Sequence, residues 1–334
     1  MEKNIKNSIV FFFTILAMTE ILPVMITMIY PKFCYGCSYI GKLHQHLNST
    51  YHLGYVASLA HIGLLIYFIF LSTFIKNKLY KYSLIFFLLF VIYLSTLQIL
   101  TLLSLFLSLF CNNPPFLENH DKIFPASRSI EKNTNNIIKE FNDYIKEYTP
   151  SCVRESNPGF KIEITKNSEN CWRSLYLKNL GKIDENMVKY FPSTLPLLQD
   201  KQIHNAFFSI LDPGVEIPPH VGYYKGYLRY HLGIVIPNDT SNNINHKAYI
   251  VCGGKKYIWK TGEGVIFDDI YLHHVKNPSN EKRVVLYIDF IRKSNNFLCN
   301  SINDLGVFII ENSLTLHTFV KNQHNQTKID DSKV

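Results

Sequence analysis

The first 110 residues of this 334-residue chain carry nine charged side chains, seven Lys with Glu2 and Glu20, and three long apolar runs. Ser8 to Tyr30 is interrupted only by Glu20 and Pro23, Gly54 to Ile75 follows, and Ser83 to Phe110 is the longest. A bilayer core needs about 20 apolar residues per helix, so each run is long enough to span. The first run exceeds the roughly 7–15 residues of a signal-peptide core and has no clear small-x-small cleavage site after it, so we read it as a span. The remaining 224 residues hold the other 51 charges, the density of an ordinary soluble domain. The chain therefore reads as an integral membrane protein with about three transmembrane helices over 1–110, joined to a soluble part.

Lys76, Lys78 and Lys81 lie in the short link between the second and third runs. The positive-inside rule places that link in the cytoplasm. The N-terminus, with Lys3 and Lys6, falls on the same side, and three spans put everything after Phe110 on the lumenal or extracytoplasmic side. Two spans would return it to the cytoplasm. The net charge is +8, but the soluble part holds only 27 Lys+Arg against 24 Asp+Glu. That weak excess argues against nucleic acid as a partner, which calls for a basic face. With 24 Phe and 21 Tyr the chain is not broadly disordered either.

Seven Cys occur, at 34, 37, 111, 152, 171, 252 and 299. Cys34 and Cys37 form one C-x-x-C near His44 and His46, but no second pair completes a zinc set, so a disulfide or plain thiols is the better reading. The odd count leaves at least one thiol free and does not fix the compartment. Sequons at Asn48, Asn238 and Asn325 are short enough to arise by chance.

Residues 111–150 read as a linker, with Pro114, Pro115 and Pro125, followed by an amphipathic helix over Ser127 to Tyr148. From 151 to 294 the pattern changes to short strands: Phe160–Thr165, Ser174–Lys178, Ala206–Leu211, Tyr227–Ile236, Ala248–Val251, Lys255–Trp259, Gly264–Phe267 and Arg283–Phe290. Turn signals such as Asp212-Pro213-Gly214 and Cys252-Gly253-Gly254 separate them. Such spacing predicts a mainly β domain, a double-sheet jelly roll or a barrel. Residues 295–334 form a tail with one apolar stretch, Leu305 to Ile310, too short to span.

Two His stand at expected strand ends, His220 after Pro218-Pro219 and His273 after Phe267-Asp268-Asp269. Neutral imidazoles suit Fe(II). Arg229 and His231 are two apart on one strand and share a face. Arg283 opens the last core strand. Guanidinium groups inside a barrel are costly without an anion, and they pair bidentately with carboxylates. Taken singly, each residue has an ordinary reading: a loop His, an Arg229 paired with Asp268 or Asp269, a surface Arg283. Tyr223, Tyr224 and Tyr227 could line a substrate mouth or simply pack.

Ser209, His220-x-Gly222, Arg229-x-His231-Leu-Gly, Phe267-Asp-Asp…His273 and Arg283 together resemble, in order and spacing, the aspartyl/asparaginyl β-hydroxylase family over about residues 160–292. The segments Gly226 to Gly233 and Tyr257 to His273 also look like the bacterial lipid A acyl-chain hydroxylases. The resemblance implies a double-stranded β-helix, cupin-like, that uses Fe(II), 2-oxoglutarate and O₂. It implies iron on His220 and His273, the distal carboxylate of 2-oxoglutarate on Arg283 with Ser209, and Arg229 and His231 at its metal-side end. Many such dioxygenases carry an acid where this chain has Gly222, so a full triad is absent unless Asp268 or Asp269 contributes. Three functions follow: hydroxylation of Asp or Asn side chains in a polypeptide, hydroxylation of a lipid acyl chain, or a silent binding module with the same fold. No specific protein partner is deducible.

Overall fold

The computed structural model describes residue 63 and residues 65–313, apart from 95, 112, 151, 154–169 and 238–246. The first apolar run, most of the second, Cys34, Cys37, His44, His46, all three sequons, the strand expected at Phe160–Thr165 and the tail from 314 lie outside the described residues.

Eleven strands occur among the described residues: β1 Phe116–Leu117, β2 Trp172–Asn179, β3 Lys182–Ile183, β4 Ile203–Leu211, β5 Glu216–His220, β6 Tyr227–Val235, β7 Tyr249–Cys252, β8 Lys255–Ile258, β9 Gly264–Phe267, β10 His273–Lys276 and β11 Arg283–Ile291. They form a seven-stranded sheet in the order β1-β9-β6-β11-β4-β2-β3 and a four-stranded sheet in the order β5-β10-β7-β8. Every strand pairing in both sheets is antiparallel. From β4 to β11 the chain switches back and forth between the two sheets. That strand order is the double-sheet jelly roll.

Period-2 alternation sorts the strands of the large sheet into two faces. One face holds Phe208, Tyr230, Ile266, Leu286 and Phe290 in a single buried cluster. The helices Ala126–Lys132 and Thr134–Glu147 cover it, burying Ile130, Ile137 and Phe141. The amphipathic helix expected over 127–148 is thus present, but Asn133 divides it in two. The other face looks into the jelly roll, toward Val215, Ile217, Ile250, Cys252 and Val275.

The linker is less irregular than its prolines suggest. Phe116 pairs with Phe267 and Leu117 with Ile266, so β1 extends the large sheet. The strand β5 contains Pro218 and Pro219, yet it lies at the edge of the small sheet, where a missing N–H costs no ladder bond.

The third apolar run is covered by two helices, Lys78–Leu94 of 17 residues and Thr96–Phe110 of 15 residues. Among the described residues no helix is long and apolar enough to cross a membrane. Thr96–Phe110 packs against a C-terminal helix, Phe297–Asn312, which takes up the apolar stretch expected in the tail. Disulfides join Cys111 to Cys299 and Cys152 to Cys171, and Cys252 is a buried free thiol.

Candidate active site

The face of the large sheet that looks inward is polar where a core is usually apolar. In register across β4, β11, β6 and β9 run three rows: Ser209–Val285–Gly233, then Phe207–Tyr287–His231–Val265, then Asn205–Asp289–Arg229–Phe267. Arg283, Arg229, His231, Ser209 and Asp289 are all buried.

His220 ends β5 and His273 begins β10, and the two are direct cross-strand partners. Their ring centroids are 4.1 Å apart. Nδ1 of His220 lies 2.7 Å from the Pro218 carbonyl oxygen, and Nδ1 of His273 lies 2.9 Å from that of Tyr271. A carbonyl can only accept, so both Nδ1 atoms carry the proton and both Nε2 lone pairs stay free. This is the orientation a metal-ligating His needs. Burial lowers the pKa of both imidazoles, that of His273 to about 3 with further help from His220, so both are neutral.

Arg283 lies deeper in the jelly roll. Its Nη1 donates to the Ser209 carbonyl oxygen at 3.1 Å and to Ser209 Oγ at 3.4 Å, and the guanidinium stacks 4.6 Å from the centre of the Trp259 ring. Trp172 Nε1 donates to the same Ser209 Oγ at 3.0 Å. No carboxylate among the described residues pairs with Arg283, and burial alone pushes its pKa down to about 9. Arg283 Nε, Trp259 Nε1 and both ring nitrogens of His231 are buried without a hydrogen-bond partner. Buried polar atoms are rarely left so. A cation, two donors and an imidazole unpartnered in one interior fit a small dicarboxylate, and 2-oxoglutarate is one.

Arg229 differs from Arg283. Its Nε and Nη2 reach Asp269 Oδ2 at 2.9 and 2.8 Å, and its Nη1 reaches Asp289 Oδ1 at 2.7 Å. Burial opposes its charge, but Asp269 and Asp289 hold it protonated well above its ordinary value. The ordinary reading of Arg229, an ion pair with Asp269, is what the structure contains, and Asp289 adds a second acid. The sequence reading missed Asp289. Its signal is an acid in the otherwise apolar run Val284 to Phe290, on the same face as Arg283.

Asp268 pairs with Arg292 at 2.7 Å and lies 3.6 Å from Lys225. Asp269 is pinned by Arg229, with burial raising its pKa to about 6. Among the described residues no three His, Cys, Asp or Glu side chains converge as a metal-binding group. Gly222 explains part of this. Its N–H donates to the Asp269 carbonyl oxygen at 2.8 Å, and a Cβ at 222 would collide with the Asp269 carboxylate. The Asp269 carboxylate fills the space that any side chain at 222 would need.

The three tyrosines separate by environment. Tyr223 is half-exposed, with the Arg229 guanidinium 6.0 Å from its ring centre, and Tyr227 lies 5.8 Å from it. Tyr224 is fully buried and donates to Asn303 Oδ1 at 2.9 Å.

Residues 131–293 match the family model described as aspartyl/asparaginyl beta-hydroxylase. An ornithine lipid ester-linked acyl 2-hydroxylase of Rhizobium tropici is 31% identical over 186 residues, covering 54% of this chain and 61% of that protein. The human aspartate beta-hydroxylase domain-containing protein 2 is 29% identical over 170 residues, covering 48% of this chain and 42% of its own length. The chain thus spans about half the length of these relatives. A solved oxidoreductase of the 2OG-Fe(II) oxygenase family from Burkholderia pseudomallei overlaps with a TM-score of 0.33 at 9% identity, covering 50% of this chain and 90% of that one. The family resemblance read from Ser209, His220, Arg229, His273 and Arg283 is shown by the match that runs through all of them: residues 131–293 are similar to the aspartyl/asparaginyl beta-hydroxylase family.

Proposed function

We propose that the chain is a membrane-anchored dioxygenase dependent on Fe(II) and 2-oxoglutarate that hydroxylates an unactivated C–H bond. The carrying observation is the pair of free Nε2 lone pairs on His220 and His273 set in the same jelly roll as the unpaired, buried Arg283. His220 and His273 would hold the iron through Nε2, and bound Fe(II) supplies the activation of O₂ that coupled oxidation of 2-oxoglutarate requires. Arg283, backed by Ser209 and shielded by Trp259, would take the cosubstrate carboxylate remote from the iron. His231 would offer a ring nitrogen to its other end. Arg229, its charge matched by Asp269 and Asp289, acts as a brace between β6, the turn after β9 and β11 rather than as an anchor for the cosubstrate. The silent-module reading is weakened by the two metal-competent imidazoles set beside these unpaired donors.

Two substrate classes carry over from the relatives: an Asp or Asn side chain of a polypeptide, and a lipid acyl chain. The second is favoured by the lipid hydroxylase match, which covers more of both chains than the human match does. The Lys76, Lys78 and Lys81 link supports a cytoplasmic loop before the third apolar run. The test is incubation of the full chain with Fe(II), 2-oxoglutarate and O₂, offering Asp- and Asn-containing peptides or membrane lipids. Succinate release with a mass gain of one oxygen on one class identifies the substrate. Cosubstrate binding with no product on either would leave the binding-module reading.

A further inference from the structure

The helices Thr96–Phe110 and Phe297–Asn312 lie side by side and antiparallel. Thr96 Oγ1 meets Ser313 Oγ at 2.8 Å at one end, and the Cys111–Cys299 disulfide ties the other. A water-soluble helix pair turns a polar face outward, and among the described residues this one does so only at Ser301, Asp304, Glu311 and Asn312. The polar side chains of Ser104 and Asn303 are buried against the jelly roll. The outer face instead shows Phe106 (51% exposed), Leu109 (66%), Phe110 (42%), Phe297 (84%), Leu305 (50%) and Phe308 (61%). Thr96–Phe110 has no charged residue, and Phe297–Asn312 has only Asp304 and Glu311, the latter within 3.4 Å of His204.

We infer that this helix pair is a membrane-seated platform whose outer face lies in the acyl-chain layer of a bilayer, parallel to its plane. Three observations select lipid as the occupant. The inner face of Thr96–Phe110 packs on the domain over its length, through Leu100, Ser104 and Leu107, so the helix does not stand across a bilayer. A helix apolar on both faces belongs in a core or a membrane. The apolar surface also continues without a break in sequence into Lys78–Leu94, which exposes Leu79, Phe86 and Leu89. An interfacial helix of this kind sinks its apolar face roughly 5–10 Å into the headgroup and acyl boundary.

The loop that leaves His220 is fastened to both helices. Lys225 N–H donates to Ser104 Oγ at 3.0 Å, and Asn303 Nδ2 donates to the Gly226 carbonyl oxygen at 3.0 Å. Tyr224 from the same loop bonds Asn303, and Tyr223 stands half-exposed beside it. The loop that follows the candidate ligand His220 therefore sits next to the bilayer surface. This inference does not depend on the reaction proposed above.

The test uses the full chain reconstituted into phosphatidylcholine vesicles with bromine on the upper acyl chain. Trp is introduced singly by Phe308→Trp and Leu305→Trp, both at exposed positions that leave the core intact. Val188→Trp, at an exposed position outside both helices, is the reference, and the native Trp172 and Trp259 set the baseline. Emission at 308 and 305 should fall at least twofold with brominated lipid, and resist aqueous acrylamide, while 188 does the reverse. Quenching at 308 and 305 by acrylamide alone would overturn the platform. Protection from both quenchers would also overturn it, since another segment or a second copy would then cover the face.

Discussion

His220 and His273 face each other across the β5–β10 pair with ring centroids 4.1 Å apart, and each gives its Nδ1 proton to a carbonyl two residues earlier on its own chain. The two free Nε2 atoms are the whole of the protein's contribution to the metal in this proposal. Replacing either His by Ala should therefore abolish iron binding, since no third ligand remains to hold it. Iron titration of His220→Ala and His273→Ala is the check; native affinity in either removes that residue from the site.

Arg283→Lys should weaken 2-oxoglutarate binding at least tenfold. It keeps a charge but loses the planar fork. Iron affinity should stay within twofold, because Arg283 does not ligate. Titration of both ligands on one protein preparation separates the two effects. An unchanged 2-oxoglutarate affinity would show that this guanidinium does not receive the cosubstrate.

The same side chain sets a pH dependence. Burial holds the Arg283 pKa at about 9, below its ordinary value. A dicarboxylate prefers the charged form, so binding should be full below pH 9 and fall as the pH rises through that value. Bound anion should raise the pKa, with proton uptake on binding above pH 9. Calorimetry in two buffers of different ionisation enthalpy reads that uptake, and its absence would mean that Arg283 stays charged throughout.

Gly222→Asp should not create a working third ligand. The new Cβ would collide with an Asp269 carboxylate that Arg229 keeps in place. Overpacking of this kind costs about 1–3 kcal/mol, so thermal stability should drop without a gain in iron affinity. Tighter iron binding by the variant would mean that Asp269 yields and that the vacancy at 222 is functional rather than filled.

Asp289→Asn should destabilise the fold while leaving the imidazole pair intact. Removing one member of a buried ion pair costs about 3–5 kcal/mol. Arg229 would retain Asp269 at 2.8 Å, so the loss should fall at the lower end. Denaturant unfolding measures it; a change below 1 kcal/mol would show Asp289 to be dispensable to the brace.

The ladder strands were legible because alternating β-branched and aromatic residues bounded by Gly and Pro turns leave few alternatives. Gly264–Phe267 agrees with expectation, the other expected strands among the described residues differ by one to three residues at one or both ends, and the two-residue strands β1 and β3 carry no alternation to read. The strands β5 and β10 were not legible. Pro218-Pro219 argues against a strand unless the edge position is known, and His273 to Lys276 is too short to show alternation. Arg229 shows the same limit at the site. Its spacing places it on the inner face, but only the register opposite Asp289 reveals that its charge is already matched. Trp259 was invisible as a site residue because nothing local ties an indole to a guanidinium 24 residues later. The third apolar run was read by composition alone, which registers a face buried on protein and a face immersed in lipid identically.

The strand that opens with Arg283 is the last of the described strands to be synthesised, yet it sits in the middle of the large sheet between β4 and β6. Until it emerges from the ribosome, both neighbours present unpaired edges and the sheet exists as two fragments. Pairings this distant in sequence form slowly and leave sticky edges exposed meanwhile. A transcript truncated anywhere before residue 283 would therefore lose more than one cationic side chain: it would yield a nascent polypeptide with two open flanks, a substrate for chaperones and quality-control proteases. The residue proposed to receive the cosubstrate thus arrives on the same strand that joins the two halves of the sheet.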